Sequence, residues 1–163
     1  FGFIKIFRAN NINNIKNLKN LGPEPLGNNY NFNYFKNYLI GRDRKIKDLL
    51  MDQKFLSGLG NIYVNEILFL SSIKPTRPVS KLKDAEIKKI IINTKNVLKK
   101  AISFGGSSIK NFSNSMGKKG NYQEHFNVYG KQGYKCPNLG CSGIIKKINI
   151  SNRSSLFCKN CQK

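Results

Sequence analysis

The spacing of four cysteines constrains one end of this chain more than any other feature. All four lie in the last 28 residues, at Cys136, Cys141, Cys158 and Cys161. The pattern is C-x4-C, sixteen residues, then C-x2-C. Two close pairs around a hairpin-length insert have the spacing of a tetrahedral thiolate site for zinc. The insert reads as two short strands, 144–148 and 154–157, around a turn at 151–153. So short a segment cannot build a sufficient apolar core, and a bound metal would stabilise it instead. Four thiolates leave no open coordination position, so one structural Zn2+ is expected rather than a catalytic metal. Two disulfides are the alternative, but the chain opens with no secretion signal, and thiols inside a cell stay reduced. His125, the only histidine, lies outside the cysteine pattern and reads as a surface or interface residue, not a ligand.

Charge narrows the choice of partner. Lys and Arg number 29 against eight Asp and Glu, giving a net charge of +21 and an isoelectric point near 10.0. A polyanion is the natural partner, and a nucleic acid stands first among polyanions. Lys, Asn and Ile are abundant throughout, as an AT-rich coding sequence would make them, so the sign of the charge says more than its size. The five arginines, Arg8, Arg42, Arg44, Arg77 and Arg153, are the more informative basic positions. No stretch approaches the roughly 18 apolar residues of a membrane span, so no membrane partner is expected.

The 163 residues suit one medium domain or two small ones. Residues 1–8 are rich in large apolar side chains and read as one strand, which is not stable without partners. Its sheet is therefore expected upstream, with 9–20 as a linker and Gly22-Pro23 as a break. Residues 31–104 read as helical. Asn31 and Asn33 are candidate N-caps for a helix over 34–39. A second helix is expected from Arg44 to Met51, a third from Ile62 to Leu70, and the longest from Asp84 to Phe104. In the last, Ile87, Ile90, Ile91, Thr94, Val97, Leu98 and Ala101 follow amphipathic spacing until Gly105-Gly106 stops it. Residues 107–122 read as a flexible loop, and 123–163 as a basic module containing the cysteines.

Between the second and third helices stands Gly58-Leu59-Gly60-Asn61. Small residues before a helix let a ligand approach the backbone. The free N–H groups and the helix dipole favour a phosphate there. Asn61 adds a side-chain donor, and Lys54 stands just upstream. Taken alone, the motif is also an ordinary turn.

In order along the chain run Leu21-Gly-Pro-Glu-Pro-Leu26, the segment Asp52 to Tyr63, Asn65-Glu66-Ile67-Leu68, Ile73-Lys-Pro75, Gly105-Gly-Ser-Ser108, Val128-Tyr-Gly-Lys131 and the four cysteines. This series resembles the bacterial formamidopyrimidine-DNA glycosylases; the related endonuclease VIII branch, glycosylases for oxidised pyrimidines, shares the architecture and is the competing reading. The resemblance implies an α+β architecture: a helix–two-turn–helix domain over 21–122, with a lesion-capping loop at about 107–122, then a four-cysteine zinc finger over 123–163. Residues 1–20 would be the last strand and linker of an N-terminal β-sandwich. It further implies base-excision repair of double-stranded damaged DNA by a cytoplasmic, bacterial, nucleoid-associated monomer. Oxidised purines such as 8-oxoguanine and formamidopyrimidines would be flipped out and excised, and the strand nicked at the abasic site through a Schiff base.

Residue by residue, Asn61 matches the family's phosphate-binding Asn, with Gly58 and Gly60 before it and Lys54 in the same DNA-facing segment. Arg153 matches the finger arginine that grips phosphates, a task suited to a forked guanidinium. Lys110 and the loop after it match the segment that closes over the flipped base; a plain solvated linker is the alternative. No catalytic residue is carried over, because the family's N-terminal Pro-Glu and sandwich lysine belong upstream of Phe1. The C-x4-C pair is longer than the usual C-x2-C, and Lys83 stands where a Ser or Thr cap is expected, at a cost of about 1 kcal/mol. A non-catalytic damaged-DNA-binding module and an RNA-binding zinc ribbon are the other functional readings.

Overall fold

A computed structural model of the chain describes residues 18–108 and 120–163, together with Ile4 and Ile6. The strand expected over 1–8, most of the linker to residue 20, and Lys110 with most of its loop lie outside the described residues. Among the described residues, four α-helices precede a single antiparallel hairpin: α1 (Phe32–Leu39), α2 (Ile46–Leu50), α3 (Asn61–Leu70), α4 (Asp84–Ser103), β1 (Ile145–Ile150) and β2 (Arg153–Cys158). This is the expected α+β arrangement, with helical domain first and finger second.

Local chemistry sets the helix boundaries. Asn31 caps α1, its side-chain oxygen accepting from the Tyr34 N–H at 3.0 Å. Asn33 lies inside the helix, so only one of the two candidate asparagines caps. Helix α2 starts two residues later than expected. Ile46 N–H donates to the Arg77 carbonyl and Val79 N–H to the Arg44 carbonyl, holding Lys45 extended against Pro78. In α4 the Lys83 side chain provides no cap. Glu86 instead accepts from the Lys83 backbone N–H at 2.8 Å, one half of a capping box. Two short 3₁₀ turns, Val79–Lys81 and Tyr122–His125, were not anticipated from the sequence.

Helix α3 is the axis of the molecule. Every residue from Val64 to Phe69 is buried. A helix that is apolar on nearly all sides must be covered on nearly all sides. Helix α4 packs on it with Ile87, Ile90, Thr94, Val97 and Ala101 inward, and α1 lies on α4. Phe55 anchors the other side of the core, with Phe35 and Tyr38 rings at 4.9 and 4.8 Å. Gly22 approaches the Phe55 carbonyl so closely that no side chain could fit there. Phe69, at the far end of α3, leaves this core and joins a smaller cluster of Val128, Ile145, Leu156, Cys136 and Cys158. One helix therefore serves both modules.

The hairpin turns on two residues, not three. Ile150 pairs with Arg153, and Ser151 and Asn152 both have positive φ, 47° and 59°. That is the two-residue turn whose twist matches the strands it joins. Arg153 is thereby the first residue of β2 rather than part of the turn.

Candidate metal centre and nucleic-acid interface

The four cysteine Sγ atoms lie within 4.8 Å of one another. Cys136 and Cys161 are separated by 3.6 Å, and Cys141 and Cys158 by 3.7 Å. A zinc ion with four Zn–S bonds of about 2.3 Å needs tetrahedral edges of about 3.8 Å. The thiols are free rather than paired as disulfides, and the site fits one zinc ion. Burial pushes the Cys136 thiol up to about 12, against a lowering hydrogen bond from Asn138. The thiolate form therefore depends on the charge of the metal. The longer first knuckle closes through Cys141 N–H to the Asn138 carbonyl and Cys136 N–H to the Gly143 carbonyl. His125 packs on Phe104, ring centroids 4.0 Å apart, and is not part of the sulfur cluster.

At the opposite end of the hairpin, Arg153 is exposed. The residues that follow it are fastened to the helical domain. Asn65 on α3 accepts from Leu156 N–H at 2.9 Å and donates to the Asn61 carbonyl at 2.7 Å. Lys47 on α2 donates to the Ser154 carbonyl and to Ser155 Oγ, both at 2.7 Å. These bonds set the start of α3 and the tip of the hairpin side by side. Glu66 fixes the other end of the finger. Its carboxylate accepts from Asn127 N–H, Asn127 Nδ2, Val128 N–H and Tyr129 N–H at 2.7–2.9 Å.

The α3 terminus is open. Among the described residues, the backbone N–H groups of Asn61, Ile62 and Tyr63 have no acceptor. The first turn of a helix leaves such donors free, and the dipole adds partial positive charge. Asn61 Oδ1 is buried and unpaired, which leaves the amide NH2 as the accessible side of the group. Gly58 has φ +81°, and a Cβ at Gly58 or Gly60 would point into open space. Gln53 shapes this loop, accepting from Gly58 N–H at 2.8 Å and donating to the Leu59 carbonyl at 3.0 Å. Lys54 is exposed beside it, its N–H held by Asp52 at 3.0 Å. Burial alone would raise the Asp52 carboxyl, but the Lys54 N–H and the Arg44 guanidinium outweigh it and hold the carboxyl below its ordinary value.

A family model described as the formamidopyrimidine-DNA glycosylase H2TH domain matches residues 21–113, more than half of the chain. The chain belongs to the formamidopyrimidine-DNA glycosylase family. A second model, the zinc finger found in FPG and IleRS, matches residues 133–163. The formamidopyrimidine-DNA glycosylase of Ruegeria pomeroyi is 39% identical over all 163 residues, which span 58% of that protein. That of Hydrogenovibrio crunogenus is 43% identical over 143 residues, 88% of this chain and 50% of that protein. The chain thus spans a little over half the length of the curated relatives it matches. The crystal structure of the MutM (Fpg) protein from Thermus thermophilus superposes with a TM-score of 0.86 at 33% identity, covering 95% of this chain and 58% of that one. The Lactococcus lactis Fpg, solved in complex with DNA containing an abasic site, gives a TM-score of 0.81 at 38% identity, covering 89% of this chain and 52% of that one.

Within this formamidopyrimidine-DNA glycosylase framework, Asn61, Gly58 and Gly60 share one helix start with Lys54 close by in sequence, and Arg153 stands at the adjoining hairpin tip. Lys110 lies outside the described residues. Lys47, Asn65, Glu66 and Gln162, to which the sequence alone assigns no role, are buried polar groups that join the two modules. Gln162 accepts from Cys158 N–H and donates to the Ile73 carbonyl. One signal was present: Asn65-Glu66 interrupts an otherwise apolar helix, and buried polar pairs must find partners. No helix among the described residues is long and apolar enough to cross a membrane.

Proposed function

We propose that this chain is the DNA-holding part of a base-excision glycosylase that removes oxidised purines from duplex DNA and nicks the abasic site. One observation supports this above the others: Asn65 and Lys47 tie an anion-ready helix start to an arginine at the tip of a metal-held hairpin. Two electropositive points on one frame, a helix start and a guanidinium, suit two phosphates of one strand. Asn61 and the free N–H groups of α3 take one phosphate, and Arg153 takes another through its fork. Gly58 and Gly60 let the backbone come close, and Lys54 adds charge beside them. Lys110 belongs to the lesion-capping segment by resemblance. Residues 21–122 and 123–163 are the two functional units, acting as a monomer on nucleoid DNA. The attacking amine and its acidic partner are, by the same resemblance, outside these 163 residues, so the chain alone binds without cutting.

The test is a filter-binding titration against a duplex carrying an abasic-site analogue, beside an intact duplex. Tighter binding to the abasic duplex, with affinity falling steeply as salt rises, is expected. Equal, salt-insensitive affinity for both would refute the reading. Borohydride treatment of the complex is expected to trap no adduct with this chain and to trap one with the full-length protein.

A further inference from the structure

Lys47 is an unusual cation. Its side chain is sealed from solvent, at 1% exposure, yet among the described residues no carboxylate pairs with it. Its Nζ reaches from α2 to the hairpin and donates to the Ser154 carbonyl and Ser155 Oγ. The cleft at this junction is lined by Arg44, Lys47, Asp48, Asp52, Ser151 and Arg153. Arg44 is committed to Asp52 at 2.8 Å and to the Asp48 carbonyl. The cation at the base of the cleft is Lys47, and the cation at its rim is Arg153.

We propose that Lys47 is a proton-linked positioning residue for DNA binding: its buried ammonium fixes the backbone that carries Arg153 and adds charge beneath the phosphate that Arg153 grips. Lys47 can act so only if this interface binds duplex DNA, as read above. The charged groups around it are Asp48 and Asp52 on the α2 side, with Arg44 paired to Asp52, and Arg153 on β2; α3 presents the neutral Asn65. Burial pulls the Lys47 ammonium down to about 8, Asp48 opposes this, and Arg153 adds to it. A free lysine keeps its proton to about 10.5. Between those values the unfolded chain binds the extra proton, so folding stability rises with pH. Duplex binding moves in the opposite direction. Phosphate oxygens favour the ammonium, so the complex keeps a proton that the free protein releases. Affinity then falls above about pH 8, by at most about tenfold per pH unit. A purely structural lysine, titrating alike in the free and the bound protein, would leave affinity flat with pH while stability still rises.

The experiment titrates the chain with the abasic-analogue duplex from about pH 7 to about pH 9.5 at constant ionic strength, following the thermal midpoint in parallel. Wild-type affinity should fall over the upper half of this range while the thermal midpoint holds or rises. Lys47→Arg should bind with a flat profile, and Lys47→Met with a flat profile about tenfold weaker at neutral pH. Calorimetry of the wild-type chain near pH 8.5, in buffers of different ionisation enthalpy, should show uptake of between about half and one proton on binding. A wild-type profile without slope, a slope unchanged in both variants, or zero proton uptake would overturn the role of Lys47 and leave the DNA-binding reading standing. No binding at any pH would overturn both.

Discussion

The helical domain and the finger reach stability by different means. The helical domain buries a continuous apolar cluster from Tyr30 to Phe126, with α3 at its centre and α4 laid along it. The finger has two strands and a handful of buried apolar residues, and one of those, Phe69, is lent by α3. Its remaining order comes from four sulfurs and from polar groups that reach across from the helices. A core stabilises a shape that tolerates small errors, whereas directed bonds hold single atoms in place. The interface uses both. The core makes the α3 terminus rigid, and the polar ties set Arg153 at a fixed place beside it.

The largest test of this contrast is removal of the metal. Chelation, or Cys158→Ala, should cost the finger on the order of 10 kcal/mol of binding-linked folding energy and unfold it. Residues beyond Tyr129 should lose amide protection while the helical circular dichroism stays. Loss of helical signal as well would show that the core is not self-sufficient. Next comes Glu66→Ala, which strips four donors of their acceptor at the junction. Each buried N–H left unpaired costs about 1–3 kcal/mol, so a loss on the order of 3 kcal/mol or more is expected in denaturant unfolding. A loss below about 1 kcal/mol would mean that packing, not polar bonding, docks the finger.

Arg153→Ala should weaken abasic-duplex binding by about 1–3 kcal/mol and leave thermal stability unchanged, since the side chain is exposed and a charge-assisted phosphate contact is what it loses. Parallel losses of affinity and stability would make it a structural residue. The smallest expected effect belongs to Asn31→Ala. Removing the cap of α1 should cost about 1 kcal/mol of stability in the helical domain, with no change in zinc content or DNA affinity. Any effect on the finger would show coupling that the contacts do not suggest.

Much of this was legible in the chain itself. The cysteine spacing fixed a four-thiolate site because a tetrahedral ion accepts few spacings. Helix α4 followed from apolar periodicity, α3 from the apolar run after the Gly58–Asn61 turn, and the free donors at Asn61 from that turn. These are local facts, set by residues near one another in sequence. Tertiary structure decided the rest. Arg44 and Lys45 look helical but are drawn into extended pairing with Pro78, some thirty residues away. Lys47, read as one lysine among many, becomes a sealed bridge only because β2 closes over it from more than a hundred residues downstream. Glu66 and Asn65 acquire their partners in the same way. Sequence determined which groups could bind metal and phosphate, and only the packing of α3 against both modules decided that Asn61 and Arg153 meet on one surface. That division has a physical cause: helix and ligand spacing are written in neighbouring residues, while a buried polar side chain takes its role from whatever the fold brings within about 3 Å.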